Sequence, residues 1–249
     1  MIKRLFIERA RSIKPLNALP TFLTFANACL GLISIIQSLE DNYMWAAYCI
    51  FFAAILDGCD GCLARKLGVE SLLGSELDSL SDAISFVLAP AILLYSWTVS
   101  DFGILGVAIL ALYLCAGLFR LARFNIESNQ EKNVFIGLPT PVAAFFVTSF
   151  IVYQEWLEAS RAYFIFHKLW MIILIVLIAY LMISSIKFPS FKGNRGAGRF
   201  SLYKIFMYLF PVGLLGIVFG YPIFLFMQLW YIFYSIGTTA LSRFNSKNN

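Results

Sequence analysis

Eight times between residues 19 and 240 the chain runs for most of the thickness of a bilayer with hardly a charge, and no other feature constrains its fold as much. The runs lie at 19–38, 43–65, 79–98, 102–122, 139–157, 168–187, 202–219 and 221–240. A helix needs about 20 apolar residues to cross the hydrocarbon core, where no water is present to satisfy a backbone N–H or C=O. The expectation is an all-α, polytopic transmembrane helix bundle of eight spans. The last two runs are joined only by Gly220-Tyr221-Pro222, a tight-turn signal, so they form either two crossings or a re-entrant hairpin. Composition agrees, with 60% hydrophobic and 13% charged residues, against roughly half and roughly a quarter in soluble domains. That disfavours a water-soluble protein, a disordered one and a nucleic-acid binder. The five cysteines lie mostly inside apolar runs and imply no disulfide framework. Cys59-x-x-Cys62 has no second pair or neighbouring histidine to complete a metal site and is read as helix packing.

An even number of crossings leaves both termini on one side, together with the loops near 66–78, 123–138 and 188–201. Of the 19 lysines and arginines, all but Arg161 and Lys168 fall on that side, which the positive-inside rule makes the cytoplasm. The expected location is thus the cell (cytoplasmic) membrane, multi-pass, with both termini cytoplasmic. Residues 1–18 place Leu5, Phe6, Ile7 and Ile13 among five basic side chains, the pattern of an amphipathic juxtamembrane helix on an anionic leaflet. The 188–201 loop is basic and Gly-rich but lacks the G-K-[ST] ending of a P-loop, so it is read as a cytoplasmic contact with anionic lipid. Two additional spans over 202–240 and a cytoplasmic tail over 241–249 complete the chain. His167, the single histidine, falls on the outer side.

Only 14 residues are acidic, yet Asp57, Asp60, Asp78 and Asp82 gather at the facing ends of the second and third runs, on the cytoplasmic side. Ionisable groups there cost several kcal/mol unless paired or solvated, and they usually mark function. Asp57 and Asp60 are spaced i, i+3, and Asp78 and Asp82 i, i+4, so each pair shares one face of its helix. Two such faces can converge, and four converging carboxylates repel strongly unless a cation neutralises them. Oxygen ligands without Cys or His suit Mg²⁺, Mn²⁺ or Ca²⁺ and argue against zinc, with one or two ions implied. Acids that merely solvate helix ends are the plainer alternative, but Lys and Arg normally serve at a cytoplasmic end. Gly58, Gly61 and Gly74 flank the acids. Glycine inside a helix costs about 1 kcal/mol relative to alanine, so its use here points to a bulky ligand lying against the backbone.

Written out, the stretch is Asp57-Gly-Cys-Asp60-Gly61-Cys-Leu-Ala64-Arg65, eight residues, then Gly74-Ser-Glu-Leu-Asp78-Ser-Leu-Ser-Asp82. It resembles the signature of the CDP-alcohol phosphotransferases, D-x2-D-G-x2-A-R-x8-G-x3-D-x3-D, with every spacing intact. The resemblance implies an integral membrane enzyme that moves a phosphatidyl or related group from a CDP-linked donor to an alcohol and releases CMP. It also implies a six-span catalytic core over about residues 19–187. By the same resemblance Asp57, Asp60 and Asp78 hold the metal, and Asp82 either completes that site or is the catalytic general base. Gly61 and Ala64 leave room for the CDP moiety of the donor, Arg65 pairs with a phosphate, Gly74 lets two helices approach, and Asp57, Asp78, Gly74 and Thr24 complete the set implied to bind the donor's CDP moiety and phosphates. Phosphoryl transfer is catalysed mainly by positioning and electrostatic stabilisation, which is why carboxylate-held metal and small residues belong together.

Three further segments resemble the membrane-embedded phosphatidylserine synthases of bacteria and archaea: Pro20-Thr21-Phe-Leu-Thr24-Phe-Ala-Asn27, Arg120-Leu-Ala-Arg123-Phe124-Asn125 and Phe135-Ile-Gly137-Leu138-Pro139-Thr140-Pro141. The implied partners are CDP-diacylglycerol, L-serine, membrane lipids and a second copy of the chain in a homodimer, with no nucleic acid. Serine is a zwitterion, and Arg120 or Arg123 offers a guanidinium for its carboxylate. Both arginines equally satisfy the positive-inside rule or meet lipid phosphate. Asn125, Thr140 and Thr24 are neutral hydrogen-bonders that either read substrate or cap helices. Two rival readings are a sister enzyme using glycerol 3-phosphate or choline, and a cation or proton transporter. A transporter would spread its acids along a path across the membrane, whereas these four sit at one depth.

Overall fold

The computed structural model describes residues 18–69, 71–127, 134–159 and 167–189. The expected amphipathic N-terminus, most of the 188–201 loop, the runs at 202–219 and 221–240 and the tail lie outside the described residues.

Helix α1 (Leu19–Leu39) and helix α2 (Tyr43–Leu67) form an antiparallel hairpin turning at Asp41, whose φ of 60° is left-handed. Helix α2 stops at Gly68, also left-handed at φ 64°, where Val69 N–H donates to the Ala64 carbonyl at 3.1 Å. The third rod begins at Leu72 instead of at 79, because Ser71 caps it by accepting from Gly74 N–H at 3.0 Å. Asp78 therefore lies inside helix α3 (Leu72–Asp82) and not at a helix start. The rod continues through a π-helical turn (Ala83–Leu88) into helix α4 (Ala89–Trp97). A 3₁₀ turn leads to helix α5 (Gly103–Glu127), followed by helix α6 (Thr140–Ala159) and helix α7 (His167–Ile183). Apart from a three-residue ribbon, β1 (Val134–Ile136) antiparallel to β2 (Lys187–Pro189), everything regular among the described residues is helical.

Among the described residues four helices are long and apolar enough to cross a membrane, Leu19–Leu39, Tyr43–Leu67, Leu72–Trp97 and Val99–Ile126, and the chain is a multi-pass membrane protein. Its packing follows from the solvent. Lipid tails are as apolar as leucine, so sequestering leucine from them gains little, and helix interfaces favour small and polar residues. Helix α1 obeys this: Pro20, Thr24, Asn27, Gly31, Ser34 and Ser38 are buried, while Phe22 stays 67% exposed and Leu32 and Ile36 face outward with it. A Cβ on Gly31 would come within 2.6 Å of Ser85 Oγ and 2.9 Å of Ser85 Cα, so glycine is required for the close approach of α1 to the π turn. Farther from the acids the core is apolar, with Ile50, Phe86, Leu93, Tyr113, Ile151 and Ile178 enclosed.

Candidate active site

The four aspartates that the sequence spacing places on two helix faces do meet. Carboxylate oxygens of Asp57 and Asp60 on α2 and Asp78 on α3 lie within 4.8 Å of one another. Asp60 is buried, and the other two are half-buried. Asp82 ends α3, within electrostatic range of Asp57, Asp78 and Asp60, and its Oδ1 is buried with no hydrogen-bond partner. Three converging oxygens and a fourth carboxylate with one unpartnered oxygen are a donor set that fits a hard divalent cation.

Hydroxyl groups fix this geometry from the α1 side. Thr24 Oγ1 donates to Asp60 Oδ2 at 2.7 Å. Ser81 Oγ donates to the Thr24 carbonyl at 2.8 Å, and Ser85 Oγ to the Asn27 carbonyl at 2.9 Å. Two serines on the rod carrying Asp78 and Asp82 thus pin it to the helix that orients Asp60. A π turn directly after Asp82 is a local irregularity of the kind that recurs at functional sites.

The glycines separate into two kinds. A Cβ built on Gly58 meets nothing within 4 Å, and one on Gly61 meets only Arg65 Nη1, at 3.6 Å. Neither position needs glycine for packing against the described residues. A Cβ on Gly74 would meet, among the described residues, only Ser71 Oγ, at 3.1 Å. Its place is in the capped first turn of α3, whereas at Gly31 and Gly117 a Cβ would strike a neighbouring segment, at Ser85 and at Val87. A small residue four positions after Asn27, on a face already carrying Thr24, was the available signal. Ala64 stands one turn beyond Asp60, half-buried, and Arg65 is exposed yet close enough to Asp60 to interact electrostatically.

The two arginines of the fourth run part company. Arg120 is buried, donates through Nη1 to Thr140 Oγ1 at 3.1 Å, lies over the Phe124 ring at 5.4 Å, and is electrostatically coupled to Asp82. Arg123 turns to the end of α7, where Nη1 donates to the Ile183 carbonyl at 3.3 Å and Nη2 to those of Met182 and Ser184 at 3.5 and 3.4 Å. Those are the carbonyls a helix end leaves unsatisfied. Asn125 Oδ1 accepts from Ser79 Oγ at 2.9 Å, which ties the end of α5 to the segment between Asp78 and Asp82. Ser79, Ser81, Ser85 and Gly31 have places in this frame that their letters alone did not reveal.

Comparisons with known proteins converge on one chemistry. A family model described as CDP-alcohol phosphatidyltransferase matches residues 17–181. The chain is 36% identical over 184 residues to the CDP-diacylglycerol--serine O-phosphatidyltransferase of Helicobacter pylori, covering 72% of this chain and 75% of that protein. It is 37% identical over 185 residues to the archaetidylserine synthase of Methanothermobacter thermautotrophicus, covering 74% of each. A CDP-diacylglycerol--serine O-phosphatidyltransferase of Methanocaldococcus jannaschii is 34% identical over 226 residues, covering 90% of this chain and 96% of that protein.

Proposed function

The chain belongs to the CDP-alcohol phosphatidyltransferase family, and from that premise we propose that it transfers the phosphatidyl group of CDP-diacylglycerol to the hydroxyl of L-serine, giving phosphatidylserine and CMP. The observation that carries this reading is the meeting of Asp57, Asp60 and Asp78 beside the open backbone at Gly58 and Gly61. Serine is the element shared by the relatives' names.

Asp57, Asp60 and Asp78 would hold the cation, and Asp82 would either join them or serve the reacting hydroxyl. A bound Mg²⁺ or Mn²⁺, one ion or two, with Ca²⁺ as a further candidate, supplies charge neutralisation at the pyrophosphate and at the departing phosphate. Gly61 and Ala64 give the cytidine nucleotide room, Thr24 steadies Asp60, and Arg65 pairs with a donor phosphate. Asp82, as general base, takes the proton from the serine hydroxyl as that oxygen attacks phosphorus in line. The bond from phosphorus to the CMP oxygen breaks, and CMP leaves with that electron pair. One base suffices, since direct attack by the alcohol needs no covalent enzyme intermediate. Arg120, already beside Asp82, is the guanidinium placed to hold the serine carboxylate near the base. Arg123 and Asn125 act through the frame, on the α7 end and on Ser79.

The same reading takes residues 19–187 as a six-span catalytic core followed by two more spans, eight in all, with the site on the cytoplasmic face of the cell membrane and the enzyme working as a homodimer. The deciding experiment is CMP release by the purified protein with CDP-diacylglycerol and a panel of alcohols. Serine is expected to give the highest turnover. Glycerol 3-phosphate or choline outperforming it would leave the family standing and overturn the acceptor.

A further inference from the structure

Asn27 is a buried polar side chain to which the reading above gives no task. It is fully enclosed on α1, and neither its amide oxygen nor its amide nitrogen meets a hydrogen-bond partner. An amide left so in a low-dielectric interior forfeits the hydrogen bonds it had in water. The surroundings indicate what would restore them. One turn earlier on the same face, Thr24 donates to Asp60 at 2.7 Å, and farther along Ser34 Oγ donates to the Ala46 carbonyl at 2.9 Å. That antiparallel register sets Asn27 opposite the turn of α2 that carries Asp57. From the other side Ser85 donates to the Asn27 carbonyl at 2.9 Å, which brings in the π turn that follows Asp82. Asp82 Oδ1 is another buried oxygen with no partner.

Resting on the metal reading above, we propose that Asn27 is a further member of the cation site, its amide oxygen taking the ion or one of the ion's waters at the deep end of the carboxylate cluster. Its amide N–H groups then donate to a carboxylate oxygen that the ion leaves uncovered. A neutral oxygen is the suitable addition there. Four aspartates already bring more negative charge than one divalent ion cancels, and an amide completes a hard-oxygen shell without adding to the repulsion.

The test uses Mn²⁺ as probe on the purified full-length protein, reading free Mn²⁺ by electron paramagnetic resonance and thermal unfolding with and without the ion. Asn27→Leu replaces the amide by an apolar group of the same shape, which relieves an unpaired buried amide and costs metal-free stability little or nothing. The metal-free Tm is therefore expected to equal or exceed that of the wild type, while Kd for Mn²⁺ weakens about 10- to 100-fold and the rise in Tm on adding Mn²⁺ shrinks accordingly. Asn27→Asp, which keeps an oxygen, should hold Mn²⁺ within a few-fold of the wild type. Unchanged Mn²⁺ affinity in Asn27→Leu overturns the proposal and leaves a single buried water as the partner of the amide. Should Asn27→Leu fail to accumulate, Asn27→Ala is read in the same way, and instability with full Mn²⁺ affinity overturns the proposal equally. A wild type that does not bind Mn²⁺ defeats the metal reading itself, and this inference with it.

Discussion

The wedge formed by α1, α2 and α3 and the two helices α6 and α7 sit in the same molecule and are held in place by different means. In the wedge, hydroxyls cross from helix to helix: Ser81 to the Thr24 carbonyl, Ser85 to that of Asn27, Thr24 to Asp60, Ser34 to the Ala46 carbonyl. In α6 and α7, Ile151, Met171, Ile175, Ile178 and Met182 are enclosed in the common apolar core, and Thr148 spends its hydroxyl within α6 on the Ala144 carbonyl. Dispersion contacts hold helices together but tolerate sliding, since many registers bury similar surfaces. A hydroxyl-to-carbonyl bond loses most of its value when displaced by an ångström. Oxygens required within 4.8 Å of one another belong where register is set by hydrogen bonds.

The largest expected effect tests whether the wedge alone carries the chemistry. Asp57→Asn or Asp78→Asn should lower kcat/KM for CMP release by about a thousandfold or more, and excess EDTA should abolish turnover until Mg²⁺ or Mn²⁺ is restored. Full activity after chelation and dialysis would end the metal role. The arginines sharpen the comparison next, because Arg120 lies at the site and Arg123 at the end of α7. Arg120→Lys keeps the charge but loses the planar fork, and it should raise the serine KM roughly tenfold to a hundredfold with less effect on that for CDP-diacylglycerol. Arg123→Lys should lower Tm and leave the serine KM nearly unchanged. Equal serine defects in both variants would show that the end of α7 belongs to the acceptor site.

Glycines offer a comparison within the wedge. Gly31→Ala should cost about 1 to 3 kcal/mol of stability, read by thermal unfolding, because the added methyl meets Ser85 backbone that has nowhere to go. Gly58→Ala, with open space at that position, should leave Tm equal or slightly higher and instead raise the KM for CDP-diacylglycerol. The reverse pattern would mean that the opening at Gly58 is not where the donor lies. The smallest effect is expected in the apolar core around α7: Ile178→Val should cost about 0.5 to 1.5 kcal/mol and change neither KM. A serine or donor defect in that variant would break the division between the two regions.

Much of the site was legible because helical spacing alone puts acids on shared faces. Intervals of three and four residues bring Asp57 beside Asp60 and Asp78 beside Asp82 in any helix, and the lengths of the first four apolar runs marked the four helices that are long enough to cross a membrane among the described residues. The start of the third rod was not legible from hydropathy, since a window of apolar residues does not register Ser71 capping a polar first turn. The separate tasks of Arg120 and Arg123 were hidden too. Both satisfy the same charge bias and lie one turn apart, and only the arrival of Thr140 near one and of the α7 carbonyls near the other distinguishes them. Gly58 and Gly31 likewise read alike as letters.

What the amino-acid sequence determined by itself is what local chemistry decides: which segments must be helical in lipid, which faces carry carboxylate, and which hard-oxygen donors share a face. What only the tertiary structure decided is which groups from distant segments share a few ångströms, so that Thr24 steadies Asp60, Ser85 reaches the Asn27 carbonyl, and the Asn27 amide is enclosed with no protein partner. The physical reason is range. Helix periodicity and solvation act within a turn or across a bilayer and leave their mark in every short stretch of chain, whereas a hydrogen bond between helices depends on two backbones approaching in one register out of many.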